Sequence, residues 1–337
     1  MNYFFNKLSL QLYASKENIG IICDGIKANY QLDLNLINNR IQLIDKSIKY
    51  QIISGITNNL TDGTPINIIV ENISTTLLNE GIIRPNFADL IIIEKQKGFY
   101  LENLFSGHTI YPLSILGLIC EQILNNYYDI KILSHINQIA NLKDQDFNAN
   151  NGLYQDYEFL KNDEFPIIDH RAKILLFQIL KKAKSNQDTF GGSIETIVFN
   201  LPKGLGNPFF NSFESIVSHL LFSIPSLKGI FFGQQKKFEE SGTGQIDELF
   251  YVNDEITSKT NFACGLNGGF TNGKNLIIST FFHPHLPINK KINTVNILKG
   301  ENVMISSKTP TEPIIINHFI PIIEGMLAIA ILNFLYK

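Results

Sequence analysis

Arg40, Arg84 and Arg171 are the only arginines in this 337-residue chain, and every other permanent cation is a lysine. A guanidinium grips a carboxylate or phosphate through two parallel hydrogen bonds, whereas an ammonium offers a point charge. A site for a multiply charged anion therefore has few forks to draw on here. Seven histidines can add charge and move protons near neutral pH. His283 and His285 lie two apart, so on a strand they share a face. A zinc site needs at least a third ligand, and none is visible beside them. His135, His170 and His219 read as ordinary surface or partly buried residues. Gly265, Gly268, Gly269 and Gly273 form a cluster that either lets backbone approach a flat ligand or simply makes tight turns.

These residues need elements to hold them. Short apolar runs ended by turn residues predict strands over 19–23, 50–55, 66–70, 196–201 and 230–232. Thr61-Asp62-Gly63-Thr64-Pro65 is turn chemistry, so the 50–55 and 66–70 runs are expected to form a hairpin. Apolar residues at helical spacing predict helices over 114–126, 172–183, 213–222 and 319–335. Asp169 stands where the second of these would be capped. The polar, acidic stretch 141–165 reads as a surface excursion. Strands and helices do not alternate regularly, which favours antiparallel α+β over a parallel array. No repeat is obvious in the sequence, though two halves of similar layout remain open.

Composition narrows the class. Apolar residues make up 44% and charged residues 18%, enough for a sizeable core. A net charge of −3 gives no face-wide basic surplus, so nucleic acid is not an expected partner. Cys23, Cys120 and Cys264 are far apart, with no Cys-x-x-Cys, which fits a reducing compartment rather than a disulfide framework. No signal peptide is expected from the first residues. The apolar run 314–335 is broken by Asn317, His318, Pro321 and Glu324, so a buried helix is expected rather than a membrane span.

Five collinear stretches carry a family resemblance. The first runs from Ser54-Gly55-Ile56 through Thr61-Asp62-Gly63-Thr64-Pro65-Ile66 to Glu71-Asn72. The second is Arg84-Pro85-Asn86-Phe87-Ala88-Asp89. The third is Gly191-Gly192 with Glu195, followed by Leu201-Pro202-Lys203-Gly204-Leu205-Gly206-Asn207-Pro208-Phe209-Phe210. The fourth joins Ser223-Ile224-Pro225-Ser226-Leu227-Lys228-Gly229 to Asn261-Phe262-Ala263-Cys264-Gly265-Leu266-Asn267-Gly268-Gly269 and Asn272-Gly273. The last is Pro321-Ile322-Ile323-Glu324-Gly325-Met326-Leu327-Ala328. Together they resemble the chorismate synthase family along nearly the whole chain.

The resemblance implies an α+β fold of antiparallel sheets packed with helices, one domain over residues 1–337, and a cytoplasmic homotetramer with no membrane partner. It implies a shikimate-pathway lyase serving aromatic amino acid biosynthesis. That enzyme removes phosphate and a ring proton from 5-enolpyruvylshikimate 3-phosphate, a small phosphorylated dicarboxylate, with reduced FMN as cofactor. It implies that Arg40 and Arg84 hold substrate anions. Thr109, Ser226, Asn261, Gly268 and the run His283, Pro284, His285, Leu286, Pro287 would line the flavin. Glu312 stands where the family has its catalytic aspartate, and His108 and His318 stand where it has arginines.

The family's proton-handling histidines are absent. Phe87 replaces one, and the stretch around Lys16 lacks the other. His108, His283 and His318 then read in one of two ways. They supply charge and protons in a rebuilt site, or they mark drift in a paralogue that keeps the scaffold as a binding or assembly subunit. A repurposed flavin or anion enzyme is a third possibility.

Overall fold

The computed structural model describes residues 2–4, 7–15, 18–71, 81–85, 90, 109–233, 241–284, 290–306 and 316–336. Ten strands build two five-stranded antiparallel sheets. The first holds β1 (Asn2–Phe4), β2 (Ser9–Ala14), β3 (Asn18–Asp24), β4 (Tyr50–Ser54) and β5 (Ile66–Glu71), in the order β1-β2-β3-β5-β4. The second holds β6 (Lys131–Ile139), β7 (Leu142–Lys143), β8 (Gly192–Phe199), β9 (Leu227–Phe232) and β10 (Leu276–Phe282), in the order β9-β10-β8-β6-β7. Among the described residues five α-helices of nine residues or more accompany them: α1 (Leu34–Ile44), α2 (Ile110–Tyr127), α3 (His170–Asn186), α4 (Phe213–Leu221) and α5 (Phe319–Leu335).

The closing helix sits in the middle of the molecule. Ile323, Met326, Leu327, Ile329 and Ile331 of α5 are fully buried, in one core with Ile115, Leu116 and Ile119 of α2, Ile21 and Ile68 of the first sheet, and Ile194 and Ile278 of the second. Each such side chain contributes about 1.5–3 kcal/mol on burial. The segment Ile316–Leu335 is long and apolar enough to span a bilayer, and 83% of its apolar window is buried inside the protein. The two central helices cross where Gly117 meets Gly325. A Cβ on Gly117 would lie 2.5 Å from the Gly325 Cα, so only glycine permits this approach.

The two sheets repeat one plan. β2, β3, α1, β4, β5 and α2 recur in chain order as β6, β8, α4, β9, β10 and α5. Each half also carries a hairpin of two-residue strands just before the last strand of its repeat, β5 or β10. Ile56 pairs with Thr61 and Thr57 with Leu60 in one, and Leu266 with Thr271 and Asn267 with Phe270 in the other. The supporting bonds match. Thr61 Oγ1 donates to Lys27 O and accepts from Tyr30 N, while Thr271 Oγ1 donates to Pro202 O and accepts from Leu205 N. Gly55 (φ +88°) and Gly265 (φ +90°) open the two hairpins. A Cβ on either would lie 2.5 or 2.7 Å from the Cα of Ile66 or Leu276. The glycine cluster is thus mostly turn geometry, and Gly268 alone of the four has nothing within 4 Å of a built Cβ.

Two expectations need correcting. Residues 141–165 are not merely a surface excursion. Phe147, Tyr157 and Leu160 are buried in a second core on the outer face of the second sheet, with Leu133, Ile197 and Ile277. Acids fasten it, Asp144 of the stretch accepting from Ile168 N at 2.6 Å and Glu195 of β8 accepting from Phe147 N at 2.6 Å. His135 is also no surface residue, being 0% exposed. The helix caps follow expectation, with Asp169 accepting from Arg171 N at the start of α3.

Candidate active site

One end of the second sheet gathers several of the singled-out residues. β9 and β10 close there with a bond from His283 N to Ser226 O at 3.0 Å. Ser226 has φ +67°, a left-handed conformation that non-glycine residues adopt rarely and that turns the chain sharply into β9. His283 and Pro284 are exposed. Phe282 and Phe319, which adjoin His283 and His318, stack at 4.6 Å with planes 9° apart. His318 occupies the N-cap position of α5 without a side-chain capping bond. Behind the corner, a Cβ on Gly191 would lie 2.4 Å from Phe282 O, so the glycine lets β8 start directly against the end of β10. Beside His318, Asn317 is 7% exposed and its Oδ1 has no hydrogen-bond partner.

Asn261 and Gly268 lie at the other end of β10. Asn261 is buried, and its Nδ2 donates to Asn275 O at 2.8 Å and Ala149 O at 3.0 Å, while its Oδ1 accepts from Gly265 N at 2.9 Å. Those three bonds occupy its amide. Asn275 and His283 stand eight positions apart along the strand, about 25 Å at the usual rise. The positions expected to line a flavin therefore fall into two groups at opposite strand ends.

Arg40 faces inward, contrary to its expected role. On α1 it pairs with Glu324 of α5, and its Nη1 donates to Lys161 O at 3.0 Å. Lys161 pairs with Glu324 at 2.8 Å and with Glu121 of α2. Burial alone would lower the Arg40 pKa, but Glu324 and Glu121 outweigh it and hold the guanidinium above its usual range. Burial likewise pushes Glu121 up, and Lys161 and Arg40 pull it below the carboxylate range. Four charges thus neutralise one another between the central helices. Glu324 was the signal in the sequence, a lone acid in an apolar helix that requires a buried partner.

Arg84 is half-buried on the short segment 81–85, which leans on the strand Ile292–Asn296 through Ile83 N to Val295 O at 3.2 Å. Thr109 precedes α2, and beside it half-buried Tyr111 packs on the main core and donates to Asp45 Oδ2 at 3.0 Å. Burial, with Asp45 adjacent, pushes that phenol well up. His108, His285, Leu286, Pro287, Glu312, Phe87 and Lys16 lie outside the described residues.

A second ionic cluster lies on the outer face of the second sheet. His135 Nδ1 lies 2.8 Å from Asp144 Oδ2, and Nε2 lies 3.4 Å from Glu195 Oε2. Burial lowers the His135 pKa, but the two carboxylates reverse this and raise it overall. Glu195 was legible only as the acid after Gly191-Gly192, and His135 gave no signal in sequence. Among the described residues no group of three or more His, Cys, Asp or Glu is placed to hold a metal.

A family model described as chorismate synthase matches residues 14–336. The chain belongs to the chorismate synthase family. It is 32% identical over 308 residues to a chorismate synthase of Methanococcus vannielii, covering 83% of this chain and 78% of that one. A chorismate synthase of Methanocaldococcus jannaschii is 28% identical over 346 residues, covering 95% and 91%. A solved chorismate synthase structure superposes with a TM-score of 0.75 at 19% identity, over 98% of this chain and 92% of that one. The α+β fold of the family is therefore that of this chain, including its antiparallel sheets.

Proposed function

We propose that the chain, as one chorismate synthase-like domain, converts 5-enolpyruvylshikimate 3-phosphate to chorismate with reduced FMN. The observation that carries this is the convergence of His283, Pro284, the Ser226 turn and His318 at one end of the second sheet. FMN carries both an anionic phosphate and a flat ring with N–H donors. The residues at this corner fit such a group, because the exposed His283 and half-buried His318 imidazoles offer ring N–H donors, and Asn317 Oδ1 is an acceptor that lacks a donor. Ser226, Thr109, His283, Pro284 and the adjoining His285, Leu286 and Pro287 would hold the cofactor, with Asn261 fixing the backbone near Gly268 at the far end of β10. Bound reduced FMN would lend electron density and recover it, leaving no net redox change.

The chain's own residues have two further tasks. Leaving phosphate must be met by positive charge, which Arg84 would supply, and a ring proton must be taken up. His108, His318 and Glu312 are the groups available for that transfer, at the rates expected of positioned acids and bases. The chain is further proposed to act as a cytoplasmic homotetramer, in keeping with the family resemblance of its sequence. Anaerobic incubation with the substrate and reduced FMN tests the activity. Chorismate forming in proportion to enzyme supports it, and none at high enzyme concentration defeats it.

A second possibility is a non-catalytic relative acting as a binding or assembly subunit. It is favoured by Arg40 and Tyr111. The first spends its charge inside the protein, and the second packs at the start of α2, where an open hollow would need room. Flavin binding without turnover would select it.

A further inference from the structure

We propose that copies of this chain join through a contact between the ribbon Leu249–Ser258 of one copy and the outer face of α3 in the next. This rests on the homotetramer proposed above and names the surfaces that hold it. The strands Leu249–Val252 and Glu255–Ser258 form a two-stranded antiparallel ribbon that belongs to neither large sheet. Leu249 and Tyr251 lie on one face of it, and Ile256 stands opposite Tyr251 across the ladder. Leu249 is 70% and Tyr251 78% exposed, and Ile256 is exposed as well. A lone two-stranded ribbon is marginally stable in water and needs a surface packed on its apolar face. Among the described residues nothing covers that face.

α3 carries the complementary surface. Ala172, Leu176 and Ala183 are its buried residues. Ile174 and Phe177 point elsewhere and are each 51% exposed. Exposed Lys181 and Lys184 continue their row at helical spacing. From His170 to Asn186 the helix has five Lys or Arg and no acid, whereas residues 241–258 have four acids and no Lys or Arg. Lys173 pairs with Asp163, and Asp247 accepts from the amides of Phe262 and Ala263. Four cations and three acids are left to meet across the contact. Ribbon on ribbon would set acid against acid, and α3 on α3 cation against cation, so charge favours the mixed pairing. Within one chain the two surfaces lie apart, since α3 packs beside β7 at one edge of the second sheet and the ribbon follows β9 at the other. The contact is therefore made between copies, head to tail, a kind that closes into rings.

Association of the full chain, 38.1 kDa as a monomer, is read by sedimentation velocity. Lys181→Glu with Lys182→Glu on α3 is expected to weaken it by about tenfold, and Glu248→Lys with Asp254→Lys on the ribbon by as much. The Tm should hold, because all four side chains are exposed. A protein with all four changes should recover wild-type association, the signs being exchanged on both surfaces. Recovery supports the contact. No recovery, or association untouched by either pair, overturns it and leaves the homotetramer to be held by other surfaces. If a charge variant does not fold, salt decides on the wild type. Weaker association between about 0.05 and 0.5 M sodium chloride supports the contact, and indifference to salt overturns it. A wild-type protein that stays monomeric defeats this inference and the homotetramer together, while the chorismate assay still judges the activity. Monomers that bind phosphatidylglycerol vesicles, and lose that binding with Lys181→Glu and Lys182→Glu, would assign α3 to a membrane surface and overturn the contact too.

Discussion

The first sheet and the second are built on one plan yet place different residues at equivalent positions. Registering the hairpins aligns Gly20 of β3 with Glu195 of β8, and Tyr13 of β2 with His135 of β6. In the first half the pair is neutral. The Tyr13 ring lies over Gly20, where a Cβ would come within 2.3 Å of its Cζ, and its hydroxyl donates to Asn67 at 2.9 Å. In the second half the same register holds a buried histidine between two carboxylates. The strand ends differ too. β4 and β5 close with Glu71 N to Lys49 O, under an exposed Lys49–Glu71 pair at 3.6 Å. β9 and β10 run further and close at His283, with no such pair across the rung among the described residues. A duplicated scaffold lets one copy carry stability while the other is free to present reactive groups.

The largest test concerns the seam that makes the two halves one body. Glu324→Ala leaves Arg40 and Lys161 without their shared carboxylate in the interior. The expected loss is about 3–5 kcal/mol in urea unfolding. A loss below about 1 kcal/mol would mean that the charges find water and that the seam is not a dry one.

Next in size is the equivalence of the hairpins. Gly55→Ala and Gly265→Ala force a Cβ onto strand backbone at positive φ in both halves. Each should cost about 1–3 kcal/mol, alike within error. Gly268→Ala meets only its φ of +59° and open space, so about 1 kcal/mol is expected. Unequal costs at Gly55 and Gly265 would break the repeat as a mechanical unit.

The smallest effect is the pH dependence of the buried His135 cluster, which lies in the second half. His135 is raised above its ordinary 6.5, so its contribution is complete below that pH and fades as pH rises through the folded value. Asp144 is lowered from its ordinary 3.8, by His135 and by the amides of Ile168 and Asp169 against the opposing effect of burial. Its contribution is present above 3.8 and fades as pH falls through the folded value. Unfolding free energy should therefore be greatest between about pH 4 and 6.5 for this cluster. Replacing the pair with the first half's residues, His135→Tyr with Glu195→Gly, should lower stability overall and flatten the alkaline side of the profile. An unchanged alkaline slope would place the titration elsewhere.

Much of this was legible in sequence. The strands at 19–23, 50–55 and 66–70, the helix over 319–335 and the cap at Asp169 follow from local periodicity and turn chemistry, which the structure keeps. The repeat was not legible because its identity lies in register and φ. Asn58 and Asn59 take the left-handed conformation in one hairpin and Gly268 and Gly269 in the other. Arg40 was misplaced because a lone arginine looks the same in sequence whether its partner is a ligand or a glutamate 284 residues away. His135 was missed for the same reason, its partners being Asp144 and Glu195 across the sheet. Ser226, His283 and His318 came from family pattern, and only the stacking of Phe282 on Phe319 shows that two of them share a corner.

The division of labour between the halves is tested most directly by titrating reduced FMN, under anaerobic conditions, into paired variants of the two strand ends. The expected result is at least a tenfold loss of affinity for His283→Ala and for His318→Ala, with Lys49→Ala and Glu71→Ala indistinguishable from wild type. Equal losses at both ends, or a loss confined to Lys49 and Glu71, would contradict it.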